Sequence, residues 1–104
     1  MDRKHDRYSI GSTAEFMFDG NYYQGIVSNS SMGGTLLELS VEAPLGIFVG
    51  SAVDIRLFDI FSDLSYVYPS KVARKAGREL AVEFLQPLTG VQEKFLERWL
   101  GWQP

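Results

Sequence analysis

The sequence predicts a mainly β domain in which about six antiparallel strands, arranged as a barrel or a sandwich, precede one C-terminal α-helix. Three observations predict it. Short segments with alternating apolar and polar residues recur at regular spacing along residues 13–86. No helical pattern lies between them, whereas parallel strands would need crossover helices. Over residues 89–101 the apolar period changes from two to about four, which is typical of an amphipathic helix.

The first two strands are predicted as a hairpin. Residues 13–18 alternate, and one face of this segment carries Ala14, Phe16 and Phe18. Asp19-Gly20-Asn21 is a turn sequence, and residues 22–28 return to an extended pattern through Tyr22, Tyr23, Ile26 and Val27.

Four further strands are predicted after this hairpin. Residues 29–34 are rich in Asn, Ser and Gly and are predicted as a turn, after which residues 35–39 form the third strand. Residues 52–58 alternate cleanly, with Val53, Ile55 and Leu57 facing inward. Residues 65–73 and 79–85 form a second hairpin around Gly77.

The final helix is marked at both ends. Its apolar stripe consists of Val91, Phe95, Leu96, Trp99 and Leu100. Thr89 and Gln92 have the spacing of a capping box, and Gly101 is a stop signal. We expect Trp99 in the core, and Trp102, beyond the stop, as a candidate for partner contact.

Composition bounds the class of protein. The chain has 104 residues, of which 45% are apolar, and this suits one compact domain. Cysteine is absent, which excludes disulfides and thiol chemistry and is typical of a reducing compartment, so we expect a cytoplasmic protein. The charged amino terminus is followed by no apolar run, and no window suits a membrane span. We expect no secretory signal and no membrane insertion.

The charge balance is acidic, with a net charge of -3. Proteins that bind the nucleic-acid backbone over a broad surface need an excess of Lys and Arg, so we expect no DNA or RNA partner. A compact anion bound by a few local cations remains compatible with this balance. The basic residues form two clusters, which are Arg3, Lys4 and Arg7 in one segment and Lys71, Arg74, Lys75 and Arg78 in another. The second cluster either extends an anion site or is a solvated hairpin tip.

Catalytic chemistry has few candidates in this sequence. Its one histidine, His5, lies in a polar segment with no partner ligand at helical or turn spacing. Asp59 and Asp63 share a loop with Ser62, and this pattern favours a polar connection between strands over a cation site. No glycine fingerprint of nucleotide-dependent enzymes is present. We expect no enzyme activity, no catalytic residue, no metal and no cofactor.

Arg3 and Arg7 are the first candidate binding residues. In an extended segment they lie on one face, roughly 13 Å apart at about 3.3 Å per residue, so their side chains can reach both ends of a dinucleotide-sized ligand. A guanidinium fork can donate two hydrogen bonds to guanine, stack on a purine or bind a phosphate. The alternative is a solvated basic arm.

Asn29, Ser31 and Gly34 are the second candidate group. The Asn29 amide can donate and accept at a base edge, and the Ser31 hydroxyl can do so for a base or phosphate. Gly34 has no Cβ, so backbone there can approach a ligand closely. The alternative is a plain turn without a binding role.

Together the two groups resemble the motifs of the PilZ domain family. In that family an R-x-x-x-R arm precedes a barrel, and a D/N-x-S-x-x-G motif follows the second strand. Arg3 and Arg7 match the first motif, whereas Asn29, Ser31 and Gly34 match the second, in the same order. The strand pattern, the segment LAVEFL at residues 80–85 and the terminal helix extend this similarity over nearly the whole chain.

The resemblance implies a single domain over residues 1–104: a flexible arm at 1–9, a six-stranded, split-barrel-like antiparallel β-barrel at 13–86 and a C-terminal helix at 89–101. It also implies binding of cyclic di-GMP, a bacterial second messenger, by Arg3, Arg7, Asn29, Ser31 and Gly34. The arm would fold over the ligand and pass the signal to an effector protein, as yet unidentified, in the control of motility, biofilm formation or secretion.

Two alternative functions are compatible with the same strands. One is a PilZ-fold adaptor that contacts proteins and binds no nucleotide. The other is a barrel that stacks single-stranded nucleic acid on exposed aromatic rings. The rings available for such stacking are Tyr22, Tyr23, Tyr66 and Tyr68.

Overall fold

The structure is a computed structural model that describes the backbone of residues 8–9 and residues 12–59 and 62–101. Its strands and helix follow in the order β1 (Tyr8–Ser9), β2 (Thr13–Phe18), β3 (Asn21–Ser31), β4 (Gly34–Leu39), β5 (Ala52–Phe58), β6 (Ser65–Ala76), β7 (Glu79–Phe84) and α1 (Gly90–Gly101).

Strands β2 to β7 form a closed barrel. The hydrogen-bonded order is β3-β2-β5-β6-β7-β4, and β4 pairs in turn with β3, so the ring has no open edge. Every pairing is antiparallel. The predicted six-stranded antiparallel barrel with a C-terminal helix is therefore confirmed, and the short β1 pairs with the end of β3 in the same sheet.

The barrel is filled by the apolar residues that alternate along each strand. Phe16, Ile55 and Leu57 are fully buried, as is Val27 on the neighbouring strand β3. The inward face predicted for residues 52–58 is confirmed, because Val53 is only 4% exposed. The predicted turn at residues 19–20 is also confirmed, and positive φ angles at both residues, 51° and 78°, give a hairpin turn whose twist matches the strands.

The prediction of a turn over residues 29–34 is wrong for most of that segment. Asn29 to Ser31 end strand β3, Gly34 begins strand β4, and only Met32 and Gly33 form the bend. Tertiary pairing outweighs local turn preference here, because the strand partners satisfy the backbone and the buried Ser30 hydroxyl donates to the Gly34 carbonyl at 3.0 Å.

Helix α1 has the predicted capping box and covers one end of the barrel. The Thr89 backbone N–H donates to Gln92 Oε1 at 2.8 Å, and the Gln92 N–H donates to Thr89 Oγ1 at 3.1 Å. Tyr68 of β6 donates its hydroxyl proton to the Gln92 carbonyl at 2.7 Å. Burial raises the pKa of the Tyr68 phenol, so this hydroxyl stays protonated at neutral pH and remains a donor.

The apolar stripe of α1 differs from the prediction at one position. Phe95, Leu96, Trp99 and Leu100 are buried as expected, whereas Val91 is 63% exposed. In the first turn the barrel-facing position belongs to Gln92, whose side-chain amide donates to the Val67 carbonyl at 3.0 Å. Among the described residues, no helix has both the length and the apolar character needed to cross a membrane.

The connection between β4 and β5 is fastened to the β6–β7 hairpin. Ala43 and Ile47 of this connection are buried. The Lys75 ammonium group donates to the Pro44 carbonyl at 3.2 Å and to the Ile47 carbonyl at 3.0 Å. One member of the second basic cluster therefore has a structural role instead of lying at a solvated tip.

The packing of α1 predicts two contrasting substitutions. Trp99→Ala should lower the free energy of unfolding by about 3–5 kcal/mol, because it empties a fully buried aromatic site. Val91→Ala, on the same helix, should change it by less than about 0.5 kcal/mol because Val91 is exposed. Urea unfolding followed by circular dichroism measures both, and equal losses for the two variants would contradict this packing.

Candidate functional site

The candidate site begins where the amino-terminal segment joins the barrel. Strand β1 pairs with the end of β3 in a defined register, with Tyr8 opposite Ser30 and Ser9 opposite Asn29. Arg3 and Arg7 lie outside the described residues. Arg7 directly precedes Tyr8 in the sequence.

The end of β3 and the bend after it hold their polar groups in a network of hydrogen bonds. The Asn29 carbonyl accepts from Thr35 Oγ1 at 3.1 Å, and Asn29 itself is half-buried. Ser31 is only 5% exposed, and its hydroxyl accepts from the Gly33 N–H at 3.2 Å. Because that bond uses the oxygen as an acceptor, the hydroxyl proton of Ser31 remains available to a ligand oxygen.

Gly34 is required by the barrel itself. A Cβ at this position would lie 2.2 Å from the Val82 carbonyl oxygen of β7 and 3.2 Å from the Glu83 Cα. Real contacts of this kind do not occur, so β4 and β7 can approach this closely only if residue 34 has no side chain. Gly34 was predicted to let a ligand approach the backbone. In the structure it lets strand β7 approach β4 instead.

A groove of about 980 Å³ brings the second motif together on the outside of the barrel. It runs across β3, β4, β7 and β6 and reaches Glu93 in the first turn of α1. The motif and floor residues that line it are Asn29, Ser31, Gly34, Leu36 and Ala81. The three described members of the predicted site thus share one surface, next to the strand that follows Arg7.

Arg74 also lines this groove. The sequence analysis grouped it with the other basic residues of the hairpin and did not single it out as a site residue. Strand β6 continues to Ala76, so Arg74 lies within the sheet and not at its turn. Its guanidinium is 3.9 Å from a Glu79 carboxylate oxygen, and both side chains are more than half exposed. Among the described residues that line the groove it is the only cation, and Glu83 and Glu93 are the anions.

Comparison with known protein families identifies the family of this chain. The profile described as PilZ domain matches residues 1–102 of the chain. The chain belongs to the PilZ domain family. No curated protein matches it significantly in sequence.

Solved structures share this PilZ fold at low sequence identity. The PilZ domain of YcgR from Escherichia coli, solved with c-di-GMP, has a TM-score of 0.78 and 16% identity over 97% of this chain and 90% of that one. The PilZ domain of CeSA from a cellulose-synthesizing bacterium gives 0.72 and 18% over 92% and 95%. The Bacillus subtilis inhibitor of motility MotI gives 0.71 and 15% over 96% of this chain and 49% of that one.

The aromatic platform considered for single-stranded nucleic acid is not formed in this PilZ domain. Tyr68 is fully buried, and Tyr66 stacks on Phe95 with ring centroids 4.3 Å apart. Tyr23 packs on Phe16 at 5.4 Å. Of the four rings only Tyr22 is exposed, at 66%, because one-sided burial of the strands turns the others toward the core or the helix.

Among the described residues, the remaining candidate features form no comparable site. A second groove, of about 370 Å³, lies beside the β2–β3 turn and carries two acids, Asp19 and Asp54, but no basic residue. Asp59 lies 4.0 Å from the Arg98 guanidinium. Within residues 12–59 and 62–101, no cluster of three or more acidic or histidine side chains is placed to hold a metal ion. His5 and Trp102 lie outside the described residues.

The close approach at Gly34 predicts a large effect of one methyl group. Gly34→Ala should lower the free energy of unfolding by about 2–3 kcal/mol because the added Cβ meets the β7 backbone. Gly46→Ala is the matched control, since its Cβ would meet only the Phe18 ring at 3.6 Å. An unchanged urea midpoint for Gly34→Ala would show that β4 and β7 are farther apart than this register requires.

Proposed function

We propose that this PilZ domain is a receptor for cyclic di-GMP and that Arg3, Arg7, Asn29, Ser31 and Gly34 form its binding site. The observation that carries the proposal is the register of β1 on β3, which joins the segment after Arg7 to the strand that holds Asn29. Strand β1 thus lies beside the strand whose end lines the groove, as a ligand bound by both motifs would require.

The chemistry of these residues suits a guanine-containing dianion. Arg3 and Arg7 offer planar donors for guanine and phosphate oxygens. The Ser31 hydroxyl, which accepts from the Gly33 N–H, offers its proton from the end of β3. Gly34 contributes by letting β4 and β7 close together, so that the bend that holds Ser31 has a fixed position. The structural likeness to YcgR, a PilZ domain solved with c-di-GMP, supports the same ligand.

In this proposal the protein acts as a receptor and adaptor and not as an enzyme. Its residues 1–9 form an arm that closes over the ligand, while the barrel at 13–86 and the helix at 89–101 carry the site and its support. Output then depends on an effector protein in the cytoplasm that distinguishes the liganded surface from the empty one. An adaptor that binds no nucleotide is the alternative, and titration of the wild-type protein with cyclic di-GMP decides between them.

Arg7→Ala should weaken cyclic di-GMP binding about tenfold to hundredfold, because losing one charged hydrogen bond costs on the order of 1.5–3 kcal/mol. Arg78→Ala removes the same charge from the exposed end of the β6–β7 hairpin and should leave affinity within about twofold. Isothermal titration calorimetry measures both. Equal affinity of wild type and Arg7→Ala would remove Arg7 from the site, and no heat from the wild type would favour the nucleotide-free adaptor.

Ligand binding should also protect the arm. Amide hydrogen exchange in residues 1–8 should slow when cyclic di-GMP is added, because groups that contact the ligand open less often. Exchange in strand β5, none of whose residues lines the groove, serves as the internal reference. Unchanged exchange of residues 1–8 at saturating ligand would contradict closure of the arm, even if calorimetry detects binding.

A further inference from the structure

Four strands of the barrel place one residue each in a single row across the groove. Asn29 of β3 is opposite Leu36 of β4, Leu36 is opposite Ala81 of β7, and Ala81 is opposite Arg74 of β6. On the other side, Asn29 is opposite Ser9 of β1. The row therefore runs unbroken from the root of the arm to Arg74.

The row faces outward along its whole length. Residues directly opposite one another in antiparallel strands project to the same side of the sheet. The neighbours Leu37 and Leu80 point into the barrel and are at most 1% exposed, so Leu36 and Ala81, which are half-buried, point out. The row's four residues on β3, β4, β7 and β6 all line the same groove.

Two β-bulges create this alignment. On β6 the register shifts between Val72 and Arg74. Val72 is opposite Val82, so without the extra residue Ala73 would take the place opposite Ala81, and Arg74 would be opposite the core residue Leu80. The bulge therefore turns Arg74 from the core side to the groove side.

The bulge on β3 acts in the same way on Asn29. Val27 is opposite Leu37, and the register shifts between Val27 and Asn29. A regular ladder would set Asn29 opposite Thr35, which is 2% exposed. One bulge at each end of the row thus directs a polar side chain into the groove, and bulges that re-aim side chains are frequent at binding sites.

Between its polar ends the row has an apolar floor. Leu36 and Ala81 carry no polar side-chain atoms, and the Ala81 side chain is small enough to leave the sheet surface open. Three strand spacings of about 4.8 Å separate Asn29 from Arg74, a span on the order of 14 Å, which accommodates a planar base and the groups attached to it.

We infer that Arg74 is a ligand-binding residue that contacts the nucleotide from the end of the row opposite Asn29, with one guanine lying on Leu36 and Ala81. This rests on the proposed function and extends its site to β6. Arg74 is the only cation among the described lining residues, and Glu83 and Glu93 make the groove unfavourable for a dianion without it. Its pairing with Glu79 is weak because both side chains are exposed, so the guanidinium can leave it for a ligand oxygen.

Calorimetry with cyclic di-GMP tests this contact on the full chain. Arg74→Ala should weaken binding about tenfold or more, whereas Arg78→Ala, the same change four residues farther along the hairpin, should stay within about twofold. Glu79→Gln should tighten binding slightly because it removes the competing carboxylate. Unfolding midpoints of the three variants should match that of the wild type, since all three side chains are exposed.

Failure of the contact and failure of the receptor function give different results. If the wild type binds, Arg7→Ala weakens binding and Arg74→Ala does not, the role of Arg74 is overturned and the receptor function stands. If Arg74→Ala and Arg78→Ala weaken cyclic di-GMP binding equally, the loss of affinity follows from net charge alone, and the contact is also overturned. If the wild type does not bind cyclic di-GMP at all, both proposals fall.

Discussion

The candidate site depends on the pairing of β1 with the end of β3. This ladder is only two residues long, yet it fixes the strand with which residues 8–9 pair and the register of that pairing. β2 pairs with β3 only from Asn21 to Ile26, so the same edge of β3 is left for β1 at Asn29 and Ser30. The ladder is thus what joins two motifs that are separated by more than twenty residues.

Barrel closure and bulging act together in shaping the surface. A closed ring of six strands must bury one face of every strand, which leaves the other face for solvent or ligand. A regular ladder would keep Asn29 and Arg74 on the buried side. The two bulges shift them outward without disturbing the core, because Val27 and Val72 before the bulges still fill it. The shape of the groove is set by strand register more than by any loop.

The sequence predicted the features that local chemistry controls. Strand alternation follows from one-sided burial, so residues 52–58 were assigned with the bounds of β5. The capping box follows from two residues three apart, and it forms as expected at Thr89 and Gln92. The family resemblance rested on Asn29, Ser31 and Gly34, and these share one groove.

Features that depend on distant partners were not predicted. The polar run before Met32 was assigned to a turn, because nothing local shows that β1 and β4 pair with it. Val91 shares the helical period of Phe95 yet is exposed, since Gln92 occupies the place against the barrel. The position of Arg74 depends on a bulge, which is a two-strand property that one segment does not encode. Arg3 and Arg7 lie outside the described residues, so their part in the site remains a proposal.

The central claim is that the arm and the end of β3 bind one ligand in the groove across β3, β4, β7 and β6. The most direct measurement is an isotope-filtered nuclear Overhauser experiment on labelled protein with unlabelled cyclic di-GMP. The account predicts contacts from guanine protons to Asn29 and Leu36 and to side chains of residues 3–7. Contacts instead to the second groove, at Met17, Asn21 or Tyr22, would contradict it.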